Sequence, residues 1–255
     1  MAFEEETLPD LTQFQQWFLH GEREEGDPIP AATVVLVREA DLGDGAAHDG
    51  DRGLETIMLH KNSKLAFGGM WVFPGGRIDD ADRDRATDIE GAARNAAVRE
   101  AAEEAGLVVD ESSLAWISHW VPPAIAPKRF ATWFFVAPAP EGAVTIDGGE
   151  IHDSAWMSPA DALARRDALE IELAPPTWMT LEYLRGFDEL DALMADATAR
   201  APRLYETQMA RGADGLMALW EGDAAYGQDD ADVPGSRYRL HMLEGGWRLE
   251  DSSSP

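Results

Sequence analysis

The sequence predicts an α/β protein. Runs rich in β-branched and aliphatic residues recur at strand length, and stretches with helical spacing stand between and after them. In addition, 45% of the 255 residues are hydrophobic, enough for a proper core and incompatible with disorder of the whole chain. No internal repeat or linker interrupts the pattern. The expectation is one elaborated domain over 1–255, with a core at about 30–190 and a helical and hairpin extension at about 190–250.

Leu11, Phe14, Trp17 and Phe18 have helical spacing, and Gly26-Asp27-Pro28-Ile29-Pro30 breaks any helix that precedes it. Thr33 to Val37 and Glu55 to His60 read as strands joined by the Gly- and Asp-rich stretch Ala40 to Gly53. Trp71-Val72-Phe73 reads as a third strand, leading into a turn at Gly75-Gly76. Asp79 to Asp88 is polar and has no core face, so a solvated loop is expected, with Asp88 capping a helix that begins near Ile89. In that helix Val98, Ala101, Ala102 and Ala105 have the spacing of a buried face, and Gly106 is a suitable stop. Leu114 to Trp120, Phe130 to Val136 and Ile151 to Met157 read as further strands. Ser158-Pro159-Ala160-Asp161 has the form of a helix start. Ala174-Pro175-Pro176-Thr177 introduces a helix carrying Trp178, Leu181 and Leu184, and another runs from about Glu189 to Ala199. Arg237 to Leu243 and Trp247 to Glu250 suggest a hairpin around Glu244-Gly245-Gly246.

With 48 acidic against 21 basic residues, the net charge is −27. Such a chain repels polynucleotides and anionic membranes, so neither is expected as a partner. Solubility accounts for most of this acidity. The absence of cysteine excludes disulfides and thiolate metal sites. Apolar stretches such as Thr132 to Ala139 are too short to cross a bilayer, and the acidic start Met1-Ala2-Phe3-Glu4-Glu5-Glu6 lacks a basic leader. A soluble cytoplasmic protein is expected.

The chemistry is concentrated in Arg99-Glu100-Ala101-Ala102-Glu103-Glu104-Ala105-Gly106-Leu107. On a helix, Glu100, Glu103 and Glu104 fall within an arc of roughly 100°, opposite the small-residue stripe. They also sit at the negative end of the helix dipole, where cations are preferred, and this unfavourable placement points to a divalent metal. Lys128 and Arg129 are adjacent cations in a very acidic chain and read either as a phosphate contact or as surface ion-pair partners.

Together with Phe73-Pro74-Gly75-Gly76-Arg77-Ile78-Asp79, the helix resembles the Nudix box, G-x5-E-x7-R-E-U-x-E-E-x-G-U, where U is a bulky aliphatic. From Arg99 to Leu107 the match is complete except that Ala101 is small. The first half departs from the pattern: 23 positions separate Gly76 from Arg99, nine more than the pattern has. Counting back from Arg99 puts the early acid at Gly91, leaving Glu90, Asp82 and Asp84 as candidates to replace it.

The resemblance implies a Nudix fold, a mixed sheet sandwiched between helices, and hydrolysis of a nucleoside diphosphate derivative with Mg²⁺ or Mn²⁺. It implies metal ligation by Glu100 and Glu104, with Glu103 as a third ligand or the group that orients a metal-bound water, and Arg99 in a structural and electrostatic role. It further implies an acid outside the box, for which Glu150 is the candidate, with Asp147 and Asp153 close by. Gly75, Gly76, Lys128 and Arg129 complete the expected substrate contacts. The stretches Leu59-His60-Lys61-Asn62-Ser63-Lys64, Pro127-Lys128-Arg129-Phe130 and Leu173-Ala174-Pro175-Pro176-Thr177 resemble the acyl-coenzyme A diphosphatase branch, although Lys61 and Lys64 stand where arginines are expected. Coenzyme A, ADP-ribose and dinucleotides are therefore the substrate alternatives. A catalytically silent nucleotide-sensing domain is the non-enzymatic one, and homodimerisation stays open.

Overall fold

The computed structural model describes residues 26–40, 53–62, 68–212, 215–243 and 245–252. The expected helix at Leu11 to Phe18, most of the stretch joining the first two strands, and Lys64 lie outside them.

The organising strand is β1 (Ile29–Glu39), whose residues Ala31 to Val37 are all buried. A strand buried on both faces needs this nearly continuous apolar run rather than alternation. Along one edge it pairs in parallel with β6 (Phe130–Pro138). Its other edge is divided: β2 (Leu54–Lys61) pairs antiparallel at Val37 to Glu39, and β4 (Gly75–Arg77) pairs antiparallel at Ala31 to Thr33. β3 (Trp71–Val72) and β7 (Ile151–Met157) flank β2, while β5 (Ala115–Val121) pairs with β6. β8 (Arg203–Glu206) joins the β5 edge in parallel and completes a mixed eight-stranded sheet.

Helices cover both faces, as the Nudix resemblance implies. On one face lies α2 (Ile89–Ala105), whose Ala92, Ala93, Ala96 and Ala97 pack with Ala32, Val34, Leu36 and Phe135. Alanine allows this close approach of helix to sheet. The other face carries α3 (Pro159–Asp167), α4 (Pro175–Leu184) and α5 (Leu190–Ala199). A second antiparallel sheet of β9 (Gln208–Gly212), β10 (Gly215–Leu219), β11 (Tyr238–Leu243) and β12 (Gly246–Asp251) packs into the same core through Trp220, Tyr238, Leu240 and Trp247. The expected hairpin is β11–β12, whereas β8, β9 and β10 had no counterpart in the sequence reading.

Three expectations need correction. The polar stretch after Asp79 is not simply a solvated loop: it contains α1 (Asp80–Asp84), in which Asp82 is completely buried. The Gly75-Gly76 pair is strand rather than turn, because it pairs with β1. In α2 Ala101 and Ala105 are buried, but Ala102 is exposed and Val98 only partly covered. The stripe instead continues upward through Ala97 and Ala93, and Glu104 is buried beside it. Both caps behave as expected: the Asp88 side chain accepts from Gly91 N–H at 2.8 Å, and Gly106 ends the helix at φ 68°.

The alanine interface yields a direct prediction. Ala97 has no exposed surface, so Ala97→Leu must force α2 away from β1. Urea denaturation should show a loss of about 1–3 kcal/mol in unfolding free energy, the usual cost of overpacking.

Candidate active site

The site is built where β4 passes the last two turns of α2. Both glycines are required there by close approach. A Cβ on Gly75 would lie 2.0 Å from Thr33 Oγ1 and 2.6 Å from the Ala32 carbonyl, and one on Gly76 would lie 2.2 Å from Glu100 Oε1. With no side chain in the way, Gly75 N–H donates to Glu104 Oε2 at 2.9 Å. This contact ties the helix carboxylate to the edge of the sheet.

Arg99 holds the rest together. Its Nη1 donates to Glu100 Oε1 at 2.8 Å and to Glu103 Oε2 at 2.9 Å, while Nη2 donates to Asp82 Oδ2 and to the Arg77 carbonyl, each at 2.9 Å. Asp82 also accepts from Asp79 N–H at 3.0 Å, which fixes α1 under the guanidinium. Of the three candidates for the early acid, Asp82 is therefore the one on Arg99; Glu90 pairs with Arg94 instead. The signal was present in the sequence, since Asp82 stands six after Gly76, the forward spacing of the pattern. Counting back from Arg99 crossed the insertion and missed it.

The three glutamates occupy different environments. Glu104 is 4% exposed and its Oε1 lies 3.3 Å from Lys61 Nζ. Burial raises its pKa despite Lys61 and the Gly75 N–H, and the charge of Glu150 adds to the rise. Glu100 is pushed up to about 7, mainly by burial, with Glu104 and Glu103 repelling its charge and Arg99 opposing the shift. Glu103 is mostly exposed. Burial also opposes ionisation of Asp82, but its hydrogen bonds to Arg99 and Asp79 outweigh this and hold it below the ordinary value.

A cleft of about 650 Å³ opens over these groups. It is lined by Arg99, Glu100, Glu103 and Glu104, and also by Gly75, Gly76, Lys128 and Glu150. Asp147, which the sequence did not separate from Glu150, lines it too and accepts from Glu150 and Ile151 N–H. Arg129 is placed elsewhere: it is not among the lining residues, and its Nη1 reaches toward the Gly26 carbonyl at 3.5 Å. Lys61, quoted in the sequence only as part of the coenzyme A-like stretch, proves to be the counter-charge of Glu104.

Among the described residues no three acidic or histidine side chains stand in ligand geometry. The buried carboxylates are compensated by Lys61 and Arg99 instead. The donor set nevertheless fits a hard divalent cation, because it consists of carboxylate oxygens, two of them on residues that burial and neighbouring carboxylates make reluctant to ionise. Glu100, Glu103 and Glu104 are the residues that could hold it.

The fold and the family match together show the class, that of hydrolases acting on pyrophosphate bonds. Residues 28–177 match the family model described as NUDIX domain, and the chain belongs to that family. Among solved structures, a NUDIX hydrolase from Alicyclobacillus acidocaldarius is 23% identical over 66% of this chain and 96% of its own, with a TM-score of 0.57. The NUDIX domain of Shewanella oneidensis NrtR, complexed with ADP ribose, is 19% identical over 69% of this chain and 98% of its own, with a TM-score of 0.44. No match is found among curated proteins. No helix among the described residues is long and apolar enough to cross a membrane.

The raised pKa of Glu100 has a definite sign in stability. Its folded value of about 7 exceeds the ordinary 4.5, so without metal the folded state loses stability as pH rises through that interval. In chelator at pH 8, Glu100→Gln should melt at a higher temperature than the parent by calorimetry, and the difference should shrink toward pH 4.5.

Proposed function

We propose that the chain hydrolyses the diphosphate linkage of a nucleoside diphosphate derivative with the help of Mg²⁺ or Mn²⁺. The observation that supports this best is the pair of buried carboxylates, Glu100 and Glu104, fixed at the cleft by Arg99 and the Gly75 N–H. In this reading Glu100, Glu103 and Glu104 hold the divalent cation, which when bound neutralises phosphate oxygens and activates water.

The remaining work belongs to the chain's own groups. Arg99 sets the carboxylate orientations and stays charged throughout, because the acids around it hold its pKa above the ordinary value against the effect of burial. Glu103 is exposed and orients the attacking water through its free oxygen. Glu150, an acid on the cleft wall outside the box, accepts a proton from that water at its carboxylate. Lys128, also on the wall, contacts a phosphate of the substrate, and Gly75 and Gly76 let the phosphates approach the backbone closely. Arg129 supports the Lys128 loop, since its carbonyl accepts from Ile29 N–H at 2.7 Å.

(Acyl-)coenzyme A, ADP-ribose and dinucleotides are the substrates proposed. Lys61 is engaged by Glu104, which leaves one cation fewer for the extra phosphate of coenzyme A. The continuous core shared by both sheets supports a single unit with a C-terminal extension; in this reading it acts in the cytoplasm, and the net charge of −27 disfavours nucleic acid and anionic membranes as partners.

A panel of acetyl-coenzyme A, ADP-ribose and NADH with Mg²⁺ or Mn²⁺ tests the reading. At least one should be cleaved at the diphosphate by mass spectrometry, and Glu104→Gln should lower kcat by at least a hundredfold. Binding of panel members without any product, with either metal, would favour a nucleotide-sensing domain instead.

A further inference from the structure

The cleft extends well beyond the acids, and its far wall comes from outside the segment that matches the family model. Thr207 and Met209 both line the cleft, whereas the matched segment ends at 177. Thr207 follows β8, and its N–H donates to the Val121 carbonyl at 2.9 Å, placing it one strand beyond β5. Its hydroxyl accepts from Trp220 Nε1 at 3.1 Å, so the second sheet holds it in place. Met209 is on β9, the first strand of that sheet, and packs against the shared core.

The register gives the length of the cleft. Arg77 on β4 faces Ala31 on β1, Ala31 faces Thr132 on β6, and Thr132 faces Trp120 on β5. All four line the cleft. From the glycine strand to Thr207 the path crosses four strand intervals, about 19 Å at roughly 4.8 Å each. Neither β8 nor β9 contributes a charged group to the lining. The charged lining groups belong to β2, to the chain from β4 to α2, and to the Lys128 and Glu150 loops. The uncharged lining includes Trp120, Pro122, Pro123, Pro175, Pro176 and Thr177 together with Thr207 and Met209. A charged group placed against these residues would lose hydration and find no counter-charge on them.

Resting on the hydrolytic reading above, we infer that the C-terminal extension selects the substrate. Thr207 and Met209 receive the group that an extended diphosphate carries beyond the second phosphate, the part that ADP lacks, and that group is an uncharged moiety such as a second sugar or base or an acyl-bearing chain. A compact diphosphate does not reach them.

Steady-state kinetics of the full chain with Mg²⁺ separates the possibilities, using ADP-ribose, NADH and acetyl-coenzyme A as extended substrates and ADP as the compact one. Parent protein should show a KM at least tenfold lower for its best extended substrate than for ADP. Met209→Asp should raise the extended-substrate KM tenfold or more, change kcat by less than threefold, and leave the ADP KM unaltered. Met209→Gln, which keeps the side-chain length, guards against misfolding and should show a smaller rise of the same kind. Equal KM values for ADP and the extended substrates in the parent, or an extended-substrate KM unmoved in both variants, would overturn the inference while leaving the hydrolytic reading intact. A parent that cleaves nothing in the panel overturns both.

Discussion

The Arg99 guanidinium is the constraint on which the site depends. In one plane it joins α1 through Asp82, β4 through the Arg77 carbonyl, and two acids of its own helix, Glu100 and Glu103. A planar donor with several N–H groups can satisfy partners in several directions at once, which an ammonium group cannot do. Asp82 has no exposed surface, so this is not an ordinary surface ion pair, whose contribution is close to nothing. Breaking a buried pair by removing one partner costs about 3–5 kcal/mol, because the remaining charge is stranded. The insertion between Asp82 and Arg99 is tolerated because both residues still arrive at the same place.

A second constraint follows from the first. Crowding carboxylates at the C-terminal end of α2 opposes the helix dipole and costs stability. The fold offsets this with Lys61 on Glu104 and Arg99 on Glu100, and by donating the Gly75 N–H to Glu104. Glu100 nevertheless retains a pKa near 7. The acids are thus maintained in an arrangement that the polypeptide alone stabilises incompletely, as expected where a site is shaped for a cation rather than for folding.

Much of this was legible in the sequence. Six of the eight strands of the main sheet were readable because each is a run of β-branched, aliphatic and aromatic residues, and Asp88, Ser158 and Gly106 marked helix ends through their chemistry. What was not legible depended on tertiary partners. Asp82 sits in a polar stretch whose solvated appearance hides its burial against Arg99, and only its spacing from Gly76 marked it. Gly75 and Gly76 look like a turn locally, and only the proximity of β1 and Glu100 makes them a strand without side chains. β8 presents a single buried residue, Tyr205, among four, so it has almost no apolar pattern of its own. The far wall of the cleft was missed with it.

In the proposed reading Glu100 and Glu104 form the core of a divalent-cation site held ready by Arg99. Its most direct test is a crystal structure of the protein soaked in Mn²⁺, with the metal located by its anomalous signal. A peak is expected within about 2.0–2.4 Å of carboxylate oxygens of both Glu100 and Glu104, with Lys61 displaced from Glu104. A protein that binds Mn²⁺ only away from these residues, with the Lys61–Glu104 pair intact, would contradict it.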